Sequence, residues 1–292
     1  MNVDKSIGMF LGLAIGDALG APLEFKEASP PDSILKKYAT GGAHNVSIGE
    51  WTDDTSMALA IAKSLIEKET FDADNIMQKF CNWYEKGEYS TRGRCFDIGG
   101  TVGVALRSYS KTLNNSEYLQ PYRGRTARDS SGNGALMRMA PVIMVATDRF
   151  HATQLATQQT LLTHGSNLCV EYSLMLAEEL YFGYPIARFE KYKLPLDINE
   201  NEVMSGGFVK ETYEAAWWAF STTNSFEDCI IRAVNRGHDA DTTGAVAGMI
   251  AGRHYGHRNI PSYFKDNLMW YDELFQTALD LSYVEYKDAR DA

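Results

Sequence analysis

Cysteine is scarce. Four residues (81, 95, 169 and 229) are spread over 292, with no CxxC pair and no dense framework. That excludes a disulfide-stapled secreted module and points to a reducing cytoplasm. Positive charge is also in deficit, with 28 Lys+Arg against 38 Asp+Glu and a net charge of −10. Such a balance argues against nucleic acid as a partner. Runs that alternate apolar and polar residues, the mark of half-buried strands, are missing. Uninterrupted apolar runs are missing too. The most apolar early stretch, IGMFLGLAIGDALGAPL, is broken by Asp17 and is Gly-rich. It reads as too short to cross a bilayer, so no membrane partner is expected. It also lacks the basic leader and cleavage site of a secretory signal.

What is present is helical periodicity. Over residues 53–68, Met57, Ile61 and Leu65 form one stripe, with Ala58, Ala62 and Ile66 beside it. DNIMQKFCNWYEK, LATQQTLLTHG, NLCVEYSLMLAEELYFG, FVKETYEAAWWAFST, FEDCIIRAVNR and YDELFQTALDLSYV repeat the pattern. The expected fold is an all-α bundle of roughly ten or more helices. Loops are expected at 39–51, 122–134 and 185–207. None has the character of a domain linker, so residues 1–292 read as a single domain.

Two glycine series stand out. Gly8, Gly12, Gly16 and Gly20 recur every four residues, as do Gly244, Gly248, Gly252 and Gly256. Each costs a helix about 1 kcal/mol relative to alanine. On one helical face, such a stripe lets a neighbour approach backbone to backbone. The two helices are therefore expected at the centre of the bundle, against each other. For Gly20 and Gly256, plain helix termination is the alternative.

The acidic residues are clustered as well. Thr52-Asp53-Asp54 and Asp239-Ala240-Asp241-Thr242 each open a predicted helix. Either cluster alone reads as ordinary capping, where a carboxylate gains about 0.3–1 kcal/mol from the helix dipole. Together they carry more charge than capping needs. Like charges about 4 Å apart repel by about 4 kcal/mol at an effective dielectric near 20. If the clusters converge, a divalent cation would offset that repulsion. Oxygen donors without His or Cys suit Mg²⁺ or Mn²⁺ rather than Zn²⁺.

IGMFLGLAIGDALGAPLEF, GEWTDDTSMALA, CFDIGGTVGVAL, GNGALMRMAPV and NRGHDADTTGAVAGMIAGRHYG follow in that order over most of the chain. The set resembles the ADP-ribosylglycohydrolase family, and especially its bacterial branch related to the dinitrogenase reductase-activating glycohydrolase. The resemblance implies a compact all-α fold with two divalent cations, Mg²⁺ or Mn²⁺, in a cleft. Thr52, Asp53, Asp54, Asp239, Asp241 and Thr242 match the ligands. It implies hydrolysis of an N- or O-glycosidic bond between ADP-ribose and an acceptor, with arginine on protein favoured. Serine, O-acetyl and guanidine linkages stay open. The implied partners are an ADP-ribosylated protein or small conjugate, and a cognate ADP-ribosyltransferase system.

Glu24 and Asp97 match acid/base residues of the family. Taken by themselves, Glu24 also reads as a solvated loop charge and Asp97 as a helix cap. Gly99, Gly100 and Thr101 start a helix whose free N–H groups suit a phosphate, although the family commonly has Asn at Gly100. Asn133 and Gly134 match a substrate-lining loop, and His164 a position near the substrate. Phe208 falls where the family often stacks an aromatic on adenine, and equally where an amphipathic helix needs a core residue. Arg123, Arg125 and Arg128 form a basic loop that reads as solvated, with contact to phosphate or an acidic partner as the alternative. His238 replaces a family glycine, either narrowing the cleft or pointing away. Two other readings remain: a two-metal phosphohydrolase, and a non-catalytic crystallin-like or ADP-ribose-binding protein. The first would release AMP or phosphate. The second would be marked by lost ligand carboxylates, and all are present.

Overall fold

Helix α1 (Val3–Gly20) and helix α10 (Ala240–Tyr255) are the axis of the molecule, and glycine is the reason they can be. The computed structural model describes residues 2–112 and 120–287. Gly8 abuts Gly252, Gly12 abuts Gly248, Gly16 abuts Gly244, and Gly20 abuts Ala240. Numbers rise along one helix as they fall along the other, so the pair is antiparallel. A Cβ added at any of the four α1 glycines would overlap the carbonyl oxygen opposite. The stripe therefore packs main chain on main chain, as its spacing predicts. Gly256 is different. It ends α10 at φ +86° and ψ 162°, a conformation essentially reserved for glycine, so at this position termination is the correct reading.

The other helices surround this axis. They are α2 (Asp53–Lys68), α3 (Ala73–Lys86), α4 (Gly100–Ser110), α5 (Ala140–Met144), α6 (Arg149–Leu161), α7 (Asn167–Phe182), α8 (Val209–Ser221), α9 (Phe226–Val234), α11 (Ser262–Asn267) and α12 (Tyr271–Ser282). Helices α8 and α9 pack on α10, α12 packs on α1, and α6 pairs with α7. One cluster of buried apolar side chains runs from Ile7 to Leu281. No strand forms among the described residues, where only isolated bridges occur. The all-α expectation holds.

One sequence reading needs correction. With its first residues and the following 3₁₀ turn, the α1 segment spans Val3–Leu23, long and apolar enough by itself to cross a bilayer. What separates it from a membrane span is its setting, with 94% of an 18-residue stretch of it buried inside the protein. Glycine does not shorten the segment; it lets α10 cover it.

Five of the twelve helices, α1 among them through Asn2, close their first turn with a side-chain cap, and α5, α8, α11 and α12 show none among the described residues. Asp72, Asp148, Ser166 and Ser225 each accept a backbone N–H at the start of α3, α6, α7 and α9. Helices α2, α4 and α10 have no such bond. These three starts face one cavity.

Candidate active site

The start of α2 is capped from outside. Asp17, the one charge in the buried stretch of α1, accepts from the Thr52 and Thr55 backbone amides at 2.9 and 3.0 Å. Both hydroxyls also donate to it, at 3.0 Å from Thr52 and 2.6 Å from Thr55. Burial pushes its pKa up to about 7, and these hydrogen bonds oppose the rise. The division of labour matters. Because Asp17 serves the helix start, Asp53 and Asp54 are released from capping. In the sequence Asp17 reads only as an interruption of an apolar run, although a lone carboxylate on a core helix is a usable signal.

The start of α10 meets this turn. Thr242 donates to Asp54 Oδ2 at 3.4 Å, and Thr52 Oγ1 lies 3.4 Å from Asp241 Oδ2. Carboxylate oxygens of Asp17, Asp54 and Asp241 all lie within 4.8 Å of one another, a grouping that could hold a metal ion. Asp239 is at the cap position but makes no cap bond. Its Oδ2 instead accepts from Asn133 Nδ2 at 3.0 Å. The capping alternative thus fails at both turns.

The electrostatics fit a cation. Asp53, Asp54 and Asp241 are all held well above the ordinary carboxylate range, first by burial and then by neighbouring carboxylates. Asp54 Oδ1 is buried with no hydrogen-bond partner among the described residues. The Thr52 hydroxyl has one proton, and Asp17 is its nearest acceptor. Its lone pairs are thereby left toward Asp54 and Asp241. An orphaned buried oxygen among hard oxygen donors is what a divalent cation would complete.

Beside the turns lies a cavity of about 400 Å³. Glu24, Asp53, Asp97, Asp239, Asp241 and Thr242 line its acidic side. Gly99, Gly100, Thr101, Asn133, Gly134 and His164 line the rest. Two larger hollows, about 880 and 700 Å³, lie elsewhere and contain no residue of either acidic turn. Glu24 is no solvated charge. It is 6% exposed, and burial with the nearby Asp97 pushes its pKa up to about 9. Asp97 is no cap either, since α4 begins after Gly99. It stands at φ +50°, a left-handed conformation that costs a non-glycine residue on the order of 1–3 kcal/mol. Burial raises its pKa too, opposed by His44.

His44 is a second residue the sequence did not single out. Its Nε2 is 3.0 Å from Glu24 Oε2 and 3.5 Å from Asp97 Oδ1, so one imidazole spans both candidate acid/base groups. A tight turn presents it, closed by paired backbone hydrogen bonds between Gly41 and Val46. Arg92 anchors that turn, donating to the His44 carbonyl at 2.9 Å while gripping Glu50 at 2.8 Å through Nε and Nη2. A histidine in a Gly-rich loop carries no periodic signal, so only the fold could show its place.

The remaining predicted residues divide. The first turn of α4 has no side-chain cap, and a Cβ at Gly99 or Gly100 would meet nothing within 4 Å. Phe208 precedes α8, is half-buried against the core, and is not among the cavity-lining residues. None of Arg123, Arg125 and Arg128 lines the cavity. His238 turns away, its Nε2 3.9 Å from the exposed Glu27. Its φ of +54° accounts for a glycine preference at this position. Its amide and carbonyl clasp the Phe25–Lys26 loop through two 2.6 Å hydrogen bonds.

The profile of the ADP-ribosylglycohydrolase family matches residues 2–181 and 186–290. The chain belongs to the ADP-ribosylglycohydrolase family. As an ADP-ribosylglycohydrolase it is a hydrolase of ADP-ribose glycosidic linkages. It is 35% identical to the ADP-ribosylarginine hydrolase Tri1 of Serratia proteamaculans (strain 568), over 97% of this chain and 80% of that protein. It is 32% identical to the ADP-ribosyl-dinitrogen reductase glycohydrolase of Rhodospirillum rubrum, over 89% and 88%. A solved structure, an ADP-ribosylglycohydrolase-related protein complex, superimposes with a TM-score of 0.80 at 32% identity, covering 96% of this chain and 97% of that one.

Proposed function

We propose that this ADP-ribosylglycohydrolase removes ADP-ribose from arginine side chains of modified proteins, using two divalent cations, Mg²⁺ or Mn²⁺. The observation that carries this reading is the meeting of two acidic helix starts, far apart in sequence, beside Glu24 and Asp97 on one cavity wall. The arginine linkage is supported by relatives named ADP-ribosylarginine hydrolase at 35% and 32% identity, against 23% for the human ADP-ribosylhydrolase ARH3. Thr52, Asp53, Asp54, Asp239, Asp241 and Thr242 would hold the ions. When bound, these would supply the positive charge that fixes ribose hydroxyls and orients a water.

The chain's own groups carry the protons. Cleavage builds positive charge at the anomeric carbon and leaves electrons on the departing nitrogen. Burial and the neighbouring Asp97 raise the pKa of Glu24, which suits it to give that nitrogen its proton. Asp97, with His44 holding its charge, is suited to take a proton from the attacking water. Amides at the start of α4 suit the pyrophosphate, and Asn133, Gly134 and His164 the rest of the ligand. Phe208 is kept as a candidate adenine contact. Four free cysteines support a cytoplasmic setting, with an ADP-ribosyltransferase as the supplier of substrate.

A panel of Arg-, Ser- and O-acetyl-linked ADP-ribose substrates tests this, assayed with Mg²⁺, Mn²⁺ and EDTA. The expected result is free ADP-ribose from the arginine linkage, lost with chelator. Release of AMP or phosphate instead would move the protein to the two-metal phosphohydrolases, and chelator-resistant turnover would remove the metals from the reading.

A further inference from the structure

Arg138 is fully buried, and its charge is met by neutral groups. Nε donates to Gln159 Oε1 at 3.0 Å, and Nη2 to the Gln159 carbonyl at 3.0 Å. Nη1 is 3.5 Å from Met57 Sδ, and the guanidinium sits over Phe80. Burying a guanidinium among such partners is expensive, which calls for a reason beyond packing. The reason lies in the remaining bond: Nη2 donates to Thr163 Oγ1 at 2.7 Å.

Arginine only donates, so the Thr163 oxygen accepts. The hydroxyl's own proton then needs an acceptor. Thr163 is completely buried, and among the described residues the one other hydrogen-bond neighbour of its hydroxyl is His164 Nδ1, at 2.8 Å. If Nδ1 bore a proton, the Thr163 proton would be stranded in the interior, at a cost of about 1–3 kcal/mol. Nδ1 therefore accepts. Burial and the charge of Arg138 both hold the imidazole neutral, with a pKa lowered to about 3. A neutral ring that accepts at Nδ1 carries its proton at Nε2. That edge of the ring lies against Gly132 and Gly134, on the cavity wall.

We propose that Arg138, acting through Thr163, locks His164 as the Nε2–H tautomer, so that the cavity presents a permanent donor to an acceptor oxygen of its ligand. Arg138 and Thr163 are positioning residues in this scheme, and His164 is the contact. The ligand half, an oxygen of ADP-ribose, rests on the proposed function. The tautomer half does not.

The test separates the halves. In ¹⁵N-histidine-labelled protein, His164 is expected to show an unprotonated Nδ1 and a protonated Nε2. Thr163→Val, which removes the hydroxyl at constant shape, is expected to release the preference and give a mixture. Its affinity for ADP-ribose, measured by calorimetry, should fall roughly fivefold to thirtyfold, the loss of one oriented hydrogen bond. The effect should fall on KM more than on kcat, and Thr163→Ser should restore both tautomer and affinity. A protonated Nδ1 in the wild-type spectrum overturns the lock, whether or not the Val variant folds. A locked Nε2–H in a protein that does not bind ADP-ribose overturns the ligand half alone.

Discussion

Asp54→Asn is expected to lower hydrolysis by on the order of a thousandfold and yet leave the metal-free protein at least as stable as wild type. The two effects share a cause. Asp54 is wholly buried, one of its oxygens has no partner among the described residues, and Asp17, Asp239 and Asp97 repel its charge. In the absence of cations, removing that charge relieves strain. In their presence, it removes a donor that the site was built around. Thermal melts with and without Mn²⁺ check this directly. Saturating metal at about 100 times its Kd adds about 2.7 kcal/mol to a protein that binds it only when folded. Wild type should show that gain and Asp54→Asn should lose most of it. A variant with undiminished metal-induced stabilisation and full turnover would show that Asp54 is not a ligand.

Burial of these carboxyl groups sets a pH dependence. Asp17 is raised to about 7 and Glu24 to about 9, so the folded metal-free chain holds protons that the unfolded chain releases above about pH 4. Where the native state binds more protons, stability falls as pH rises. EDTA-treated protein should therefore melt at a lower temperature at pH 8 than at pH 6. An unchanged or higher melting point at pH 8 would contradict the raised values.

Gly16→Ala is the second large effect, and it opposes helix propensity. Alanine is the better helix former by about 1 kcal/mol. Here its methyl group would overlap the Gly244 carbonyl, and no flexible side chain is present to yield. The two helix axes must part, so a net loss of about 2–4 kcal/mol is expected, a large share of a typical domain's stability. Denaturant midpoints would measure it. Gly16→Ala with Gly244→Ala should cost less than the two single changes added, because one separation of the axes admits both methyl groups. Gly100→Ala is the control. Its methyl meets nothing within 4 Å, so it should be neutral or stabilising. A Gly16→Ala protein as stable as wild type would mean that the axis packs less closely than described.

The parts of this molecule that were legible in its sequence are those that repeat or cluster. Helical stripes announced the fold, and glycines four apart announced the axis. Two acidic turns followed by small residues announced a site. What stayed hidden depends on contacts between distant positions. Asp17 reads as an interruption until Thr52, 35 residues on, is seen to lean on it. His44 has no periodicity to betray it, and its meaning comes from Glu24 and Asp97. Arg138 lies in a motif that the sequence did flag, but its use depends on Thr163, which lies beyond the end of α6 in a turn. Phe208 shows the reverse limit. An aromatic before a helix suits a stacking surface and a core equally, and its packing against the core is visible only in the fold.

The axis has one more consequence. Side-chain packing can be tuned in small steps, a methylene at a time. Contact between bare main chains offers no such dial, because the touching atoms are common to every amino acid. The separation of α1 and α10 is therefore fixed by peptide geometry, and Asp17, near the end of one, keeps a set distance from Asp241, near the beginning of the other. Variation toward new acceptors has room in the rim loops, while the seat beneath them is effectively frozen.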